Sequence, residues 1–203
     1  MFTIDELLSK KNQTRAMEHL LGKKEGQGYD GVRVSEFPDY WKLNSAIVEE
    51  MIRNQKYEPG IIMTYEILNG KGKKREVSSL NVTDRYIARL LSQKLKRYLD
   101  PQFLPNSFAY QDGKGILDAV NCAQNYINNG DSHVAVIDIQ DYFDSINLEK
   151  LMDLLREKIQ DQAVLYLINS YLYCKIASND VITDKKVGIV QGNPISPVLS
   201  NLY

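Results

Sequence analysis

Cysteine, tryptophan and histidine are scarce in this chain: two, one and two of them among 203 residues. Cys122 and Cys174 have no CxxC spacing and no nearby histidine, so neither a disulfide framework nor a zinc site is signalled. A reduced, cytoplasmic setting is expected. His19 and His133 stand apart from any nucleophile, and Ser107, Ser196 and Ser200 lack a visible base, which leaves acyl transfer without support. No run of about eighteen apolar residues is present, which excludes a membrane-spanning helix. The start MFTIDELLSKKNQTR carries acidic residues where a secretory signal needs an apolar stretch. Six prolines and 12 glycines without a period exclude collagen-like and low-complexity classes. Charge of one sign is not in excess either, with 25 Lys+Arg against 26 Asp+Glu. What is there, 43% hydrophobic and 25% charged residues, describes a globular protein of one or two domains with a real core.

The balanced total hides an uneven distribution. Residues 69–100 carry nine basic and three acidic side chains, whereas 101–203 carry seven and twelve. The basic island is either a solvated helix face or a surface for phosphates, since binding follows a local stripe of Lys and Arg, not the net charge.

Periodicity predicts a helix over 36–56, with Trp41, Ile47, Val48, Met51 and Ile52 at mostly helical spacing. IIMTYEIL (61–68) and REVSSL (75–80) read as strands around Asn69-Gly70, a hairpin signal, so the hairpin has a cationic tip. From Asp84 to Leu99 one face is apolar, leaving Arg85, Arg89, Lys96 and Arg97 largely off it. A helix is expected again at 116–127. His133 to Ile139 reads as the clearest buried strand, followed by a helix from Leu148 that Asn147 caps. A further helix over about 161–173 and a short hairpin in 175–190 complete an α+β pattern with sequence-local antiparallel strands.

Two clusters carry chemistry. Asp138 ends the apolar strand, with Asp141 and Asp144 following at three-residue intervals. A carboxylate there is costly unless paired, hydrogen-bonded or bound to a cation, and oxygen ligands of this kind suit Mg²⁺. The plainer alternative makes Asp138 a strand end and the others turn residues or caps. Gly188 to Pro197 (GIVQGNPISP) combines a close-approach Gln191-Gly192 pair with two helix-entry prolines, or is simply a turn before a helix.

The basic hairpin, the DR-containing helix, SFAY, AVIDIQDYFDSI and QGNPISPVLSNLY occur in an order that resembles bacterial reverse transcriptases, most closely the group II intron type. There the corresponding stretches read roughly NGKxRPLGIP, SYGFRPG, DIKGFFDNI and PQGGPISPLLANIYL. The resemblance runs from about Gly28 to Tyr203; Asp30-Gly31-Val32 and Tyr57-Glu58-Pro59 also look like that family's N-terminal extension. It implies an α+β fold of right-hand polymerase fingers and partial palm, helix-rich with short antiparallel strands. The implied division is an N-terminal extension (1–35), fingers (36–132) and a partial palm (133–203).

By that resemblance Asp138 is the catalytic, metal-binding aspartate, with the Ile139 carbonyl helping to hold Mg²⁺. Backbone amides of Asp141 and Tyr142 cradle the incoming triphosphate. Phe143 is the aromatic gate against a ribose 2′-OH, or else a plain core aromatic. Gln191 lies beside the incoming sugar. Arg75 with Lys71 or Lys73 contacts the triphosphate, while Lys74, Arg85, Arg89 and Gly192 meet nucleic acid. The implied partners are an RNA template, a DNA primer and dNTPs, with no membrane. The implied activity is RNA-directed DNA polymerisation by two-metal phosphoryl transfer, in a group II intron or a related retroelement. The alternative is an RNA-binding, splicing (maturase) module that grips intron RNA without polymerase activity of its own. An RNA-templated RNA polymerase is disfavoured by Phe143. The family's usual Pro gives way to Glu76 and Val190, and Asn193 stands where Gly or Ser is common. The Tyr-x-Asp-Asp box occurs nowhere in the 203 residues, so the chain is expected to be a fragment that is inactive alone.

Overall fold

α4 (Val82–Leu99) is the spine of the molecule. Its apolar residues Ile87, Leu90, Leu91, Leu95 and Leu99 recur at helical spacing and are all fully buried. Each contributes about 2 kcal/mol on area arguments. The computed structural model describes residues 2–22, 28–68, 74–178 and 181–203, with the backbone alone at 74–76. After the single-turn α1 (Ile4–Leu7), α2 (Lys10–Leu21) packs along α4. There the buried Asn12 amide donates to the Leu90 carbonyl at 3.2 Å and accepts from Gln93 Nε2 at 3.0 Å, which removes most of the cost of placing it in the core. α3 (Phe37–Arg53) adds an aromatic knot, in which Trp41 meets Tyr86 of α4 edge-on at 4.7 Å and Phe37 lies 5.2 Å from the same ring. The sequence expectation for α3 is half met. Trp41, Val48 and Ile52 are buried, whereas Ile47 and Met51 stay exposed, as do Tyr40 and Leu43.

β1 (Ile62–Leu68) and β2 (Lys74–Ser79) form the expected antiparallel hairpin, from Met63↔Ser79 to Leu68↔Lys74. A second hairpin joins β3 (Lys175–Ser178) to β4 (Val181–Asp184). The two are not separate, because β3 pairs in parallel with β1 at Ile62↔Ile176 and Met63↔Ala177. The result is a mixed sheet of order β2-β1-β3-β4. Only long-range packing brings 62 beside 176, so the parallel joint has no local signature.

The base of the β1–β2 hairpin is tied to α4 through a buried carboxylate. Asp84 Oδ1 accepts from the Tyr57 hydroxyl at 2.5 Å and Oδ2 from the Gly60 N–H at 3.1 Å. The Tyr171 hydroxyl donates to the Asp84 carbonyl at 2.7 Å. Burial holds both phenols well above their ordinary range, so they remain donors.

α5 (Ile116–Asn128) forms as expected, capped where the Asp118 carboxylate accepts from the Gly115 N–H at 2.7 Å. It buries no residue. The segment after it corrects the sequence reading: residues 131–139 form no strand and are exposed throughout, with Val136 and Ile137 93% and 88% accessible. An apolar run supplies the capacity to become a buried strand, but pairing needs a partner edge, and no strand among the described residues lies against this one. The single-turn α6 (Tyr142–Ser145) then leads to α7 (Leu148–Lys158), capped by Asn147 Oδ1 accepting from the Lys150 N–H at 2.9 Å. α8 (Gln162–Leu172) is capped by Asp161, whose other oxygen accepts from the Ile4 N–H at 2.8 Å. α9 (Ser196–Leu202) returns to α4 and α7 and buries Val198 and Leu199. Cys174 is buried, and burial pushes its thiol up to about 11, leaving it unreactive at neutral pH.

Candidate active site

Three stretches remote in sequence meet edge to edge. The turn at 188–193 donates from Gly188 N–H to the Ile146 carbonyl at 2.9 Å and from Ile189 N–H to the Phe143 carbonyl at 2.8 Å. On its other side the Gln191 carbonyl accepts from the Ser78 N–H of β2 at 3.3 Å. The basic hairpin, the 141–146 turn and the glycine-rich turn thus share one backbone framework. Gly192 (φ 98°) allows this closeness, since a Cβ there would lie 2.9 Å from the Ser78 carbonyl oxygen. Behind the turn, the buried Ser196 hydroxyl donates to the Val190 carbonyl at 2.6 Å and Asn193 Oδ1 accepts from the Ile195 N–H at 3.1 Å. These bonds explain why an Asn-Pro-Ile-Ser sequence leads into α9.

The turn at Asp141 is tight. Its backbone is left-handed (φ 46°, ψ 43°), a conformation Asp tolerates better than most residues, and its carbonyl accepts from the N–H groups of Asp144 and Ser145, each at 3.0 Å. Tyr142 is held through its hydroxyl, which donates to the Ser200 carbonyl of α9 at 2.8 Å. Its ring meets Phe143 edge-on at 6.2 Å. The Gln191 amide donates to Asp144 Oδ2 at 3.4 Å.

A cavity of about 520 Å³ opens between these turns and α4. Phe143, Gln191, Gly192 and Asn193 form one wall, and Arg89 and Lys96 of α4 the other. Lys96 Nζ lies 3.1 Å from Asp112 Oδ1. Arg89 Nε is buried without a hydrogen-bond partner, and burial, with the Arg15 charge adding to it, pulls the guanidinium below its ordinary value. A cationic wall facing an aromatic and an amide suits a nucleotide or a nucleic-acid strand.

The expected site residues are therefore partly assembled. Phe143, Gln191, Gly192 and Arg89 line one cavity, with Asp141 and Tyr142 next along the chain. Arg85 lies one turn before Arg89 on α4, half-buried, but off that cavity's lining. Lys71 and Lys73 lie outside the described residues, and of Lys74 and Arg75 only the strand backbone is described. Asp138 and Ile139 are not brought in. Both sit on the exposed 131–139 segment, so the expected buried strand-end carboxylate is instead open to solvent. Its oxygen chemistry suits a hard divalent cation, yet among the described residues no three acidic, histidine or cysteine side chains gather as a metal site.

Sequence reasoning placed Lys96 only on the basic helix face and Asn193 only within the glycine-turn cluster, and it did not single out Asp144 as a partner of Gln191 or the Tyr57–Asp84 link behind the hairpin. The signals were present for two of them, since Lys96 continues the Arg85, Arg89 face and Asn193 follows the glycine turn. The rest depend on contacts between distant segments.

A family model described as reverse transcriptase (RNA-dependent DNA polymerase) matches residues 64–203. An uncharacterized 91 kDa protein in the cob intron of Schizosaccharomyces pombe is 27% identical over 163 residues, covering 77% of this chain and 20% of that protein. A putative COX1/OXI3 intron 2 protein of Saccharomyces cerevisiae is 25% identical over 175 residues, covering 86% of this chain and 19% of its own length. The chain thus spans about a fifth of the length of these relatives. Among solved structures, a partial Cas6-RT-Cas1–Cas2 complex superposes with a TM-score of 0.65 at 19% identity, over 98% of this chain and 33% of that one. That likeness establishes the fold, reverse transcriptase fingers and palm.

Proposed function

Because the chain belongs to the reverse transcriptase (RNA-dependent DNA polymerase) family, a family that generally uses divalent metals, we propose that the whole protein is an RNA-directed DNA polymerase linked to a group II intron or a related retroelement. The observation that carries this reading is the meeting of Phe143, Gln191 and Arg89 around one cavity, with the Gln191 backbone tied to Ser78 of β2. Residues 1–35 would be the N-terminal extension, 36–132 the fingers and 133–203 part of the palm. Intron linkage is supported by two relatives named for the introns that encode them.

On this reading, Phe143 blocks a ribose 2′-OH, and Gln191, steadied by Asp144, lies against the sugar. Backbone amides at Asp141 and Tyr142 cradle the triphosphate, while Lys71, Lys73 and Arg75 neutralise its charge. Arg85, Arg89, Lys96 and Lys74 supply positive charge for the phosphates of the RNA template, and Gly192 lets the strand approach the backbone. Asp138 and the Ile139 carbonyl would hold Mg²⁺. When bound, a divalent pair supplies charge neutralisation at the primer 3′-oxygen and at the leaving pyrophosphate.

Two measurements test this. Phe143→Ala in the whole protein should raise rNTP over dNTP use about thirtyfold, read as the ratio of kcat/KM values; an unchanged ratio removes the gate assignment. Arg89→Gln or Lys96→Gln should weaken binding of single-stranded RNA at every sequence and lower the slope of log affinity against log salt by about 0.7 each. An unaltered slope takes those residues off the template path. The alternative of a splicing module without polymerase activity is not favoured, because the polymerase family's match runs through the whole Asp138–Tyr203 region.

A further inference from the structure

We propose that Gly188 and Ile189 are positioning residues for sugar selection, acting as a backbone clamp that sets where Phe143 stands relative to Gln191. The inference rests on the reading of Phe143 as the sugar gate. Phe143 is half-buried, with its ring against the core and the Tyr142 ring, and its backbone is bonded to the 188–189 turn. That backbone is held by Ile189 N–H donating to its carbonyl at 2.8 Å, and three residues on by Gly188 N–H donating to Ile146 at 2.9 Å. Ile189 is itself anchored in the core at 1% exposure. Gln191, two residues further along the same strand of chain, lines the same cavity as Phe143. The clamp therefore fixes the gap between gate and amide, the space the incoming sugar enters.

Glycine is required at 188 for two reasons. Its φ is +73°, and a Cβ there would lie 2.7 Å from Asp144 Cα and carbonyl oxygen and 2.8 Å from the Phe143 carbonyl oxygen. All three are backbone atoms, which have no rotamer by which to move aside. A single methyl must therefore push the 143–144 backbone away from 189–191, and the gate with it. Displacements well under an ångström are enough to alter discrimination, because selection rests on the fit of one hydroxyl against one ring.

The test is a double-mutant cycle in the whole protein, reading kcat/KM for matched dNTP and rNTP, with folding followed by circular dichroism. Gly188→Ala should lower dNTP-over-rNTP selectivity about tenfold. In a Phe143→Ala background the same substitution should change selectivity less than about twofold, since the clamp acts through that ring. If Gly188→Ala does not fold, an amide-to-ester replacement at Ile189, which removes the N–H donor to Phe143 without adding a side chain, should lower selectivity in the same direction. The clamp is overturned if dNTP and rNTP use fall by one common factor, or if the selectivity loss adds in full to that of Phe143→Ala. It is also overturned if the ester leaves selectivity unchanged. Selectivity unaltered by Phe143→Ala alone would instead remove the gate reading on which the clamp rests.

Discussion

Asp138→Asn should reduce templated dNTP incorporation by the whole protein by about a thousandfold, roughly 4 kcal/mol of transition-state stabilisation, while leaving its melting temperature unchanged. The separation of the two readouts follows from exposure. Residues 131–139 are open to solvent and pair with no strand among the described residues, so the substitution removes no buried contact and exchanges one exposed polar group for an isosteric one. On the proposed reading, what it removes is the negative charge of a hard oxygen ligand, which a divalent cation needs and an amide supplies poorly. Asp131→Asn, at an equally exposed carboxylate of the same segment, is the control and should leave the rate within about twofold. A rate for Asp138→Asn that stays near the unsubstituted value would remove Asp138 from the proposed metal site.

Asp84→Ala should have the largest effect on stability, about 3 kcal/mol, seen as a fall in melting temperature of about 10 °C. The cost comes from what is left behind, the buried Tyr57 hydroxyl and the part-buried Gly60 N–H, both deprived of their acceptor. The carboxyl also leaves a pH signature. Burial raises its pKa above the ordinary 3.8, with the bonds from Tyr57 and Gly60 opposing the rise. The folded protein therefore holds the proton more tightly than the unfolded chain. The contribution to stability is full below the unfolded value and is lost as pH rises from there through the raised folded value. Asp84→Asn keeps the shape and should flatten that decline; an equally steep decline in the variant would assign it to another group. Because Gly60 leads directly into β1, loss of this link should also loosen the base of the hairpin that carries Arg75.

Much of this was legible before any fold was known. The heptad-like apolar spacing of 84–99 and the Asn-Gly turn between two β-branched runs named α4 and the first hairpin, because helix and hairpin preferences are local. Motif order carried the family. Asp138 shows the limit of such reading. The run His133 to Ile139 has the composition of a buried strand, yet burial is a relation between two edges, and composition describes only one of them. Asp84 shows the converse, an ordinary first-turn aspartate by sequence that packing turns into the acceptor for Tyr57, Gly60 and Tyr171.

Residue order by itself determined the helices, the hairpins, the basic face of α4 and the identity of the side chains that could handle a nucleotide. Those properties depend on neighbours within a few positions, where propensity and periodicity act. The tertiary structure alone decided which of those side chains share a cavity, that β1 lies beside β3, and that Gly188 must lack a side chain because a backbone 44 residues earlier presses against it. These are distances between remote segments. They are set by how buried surfaces and backbone hydrogen bonds close together, and no local pattern encodes them.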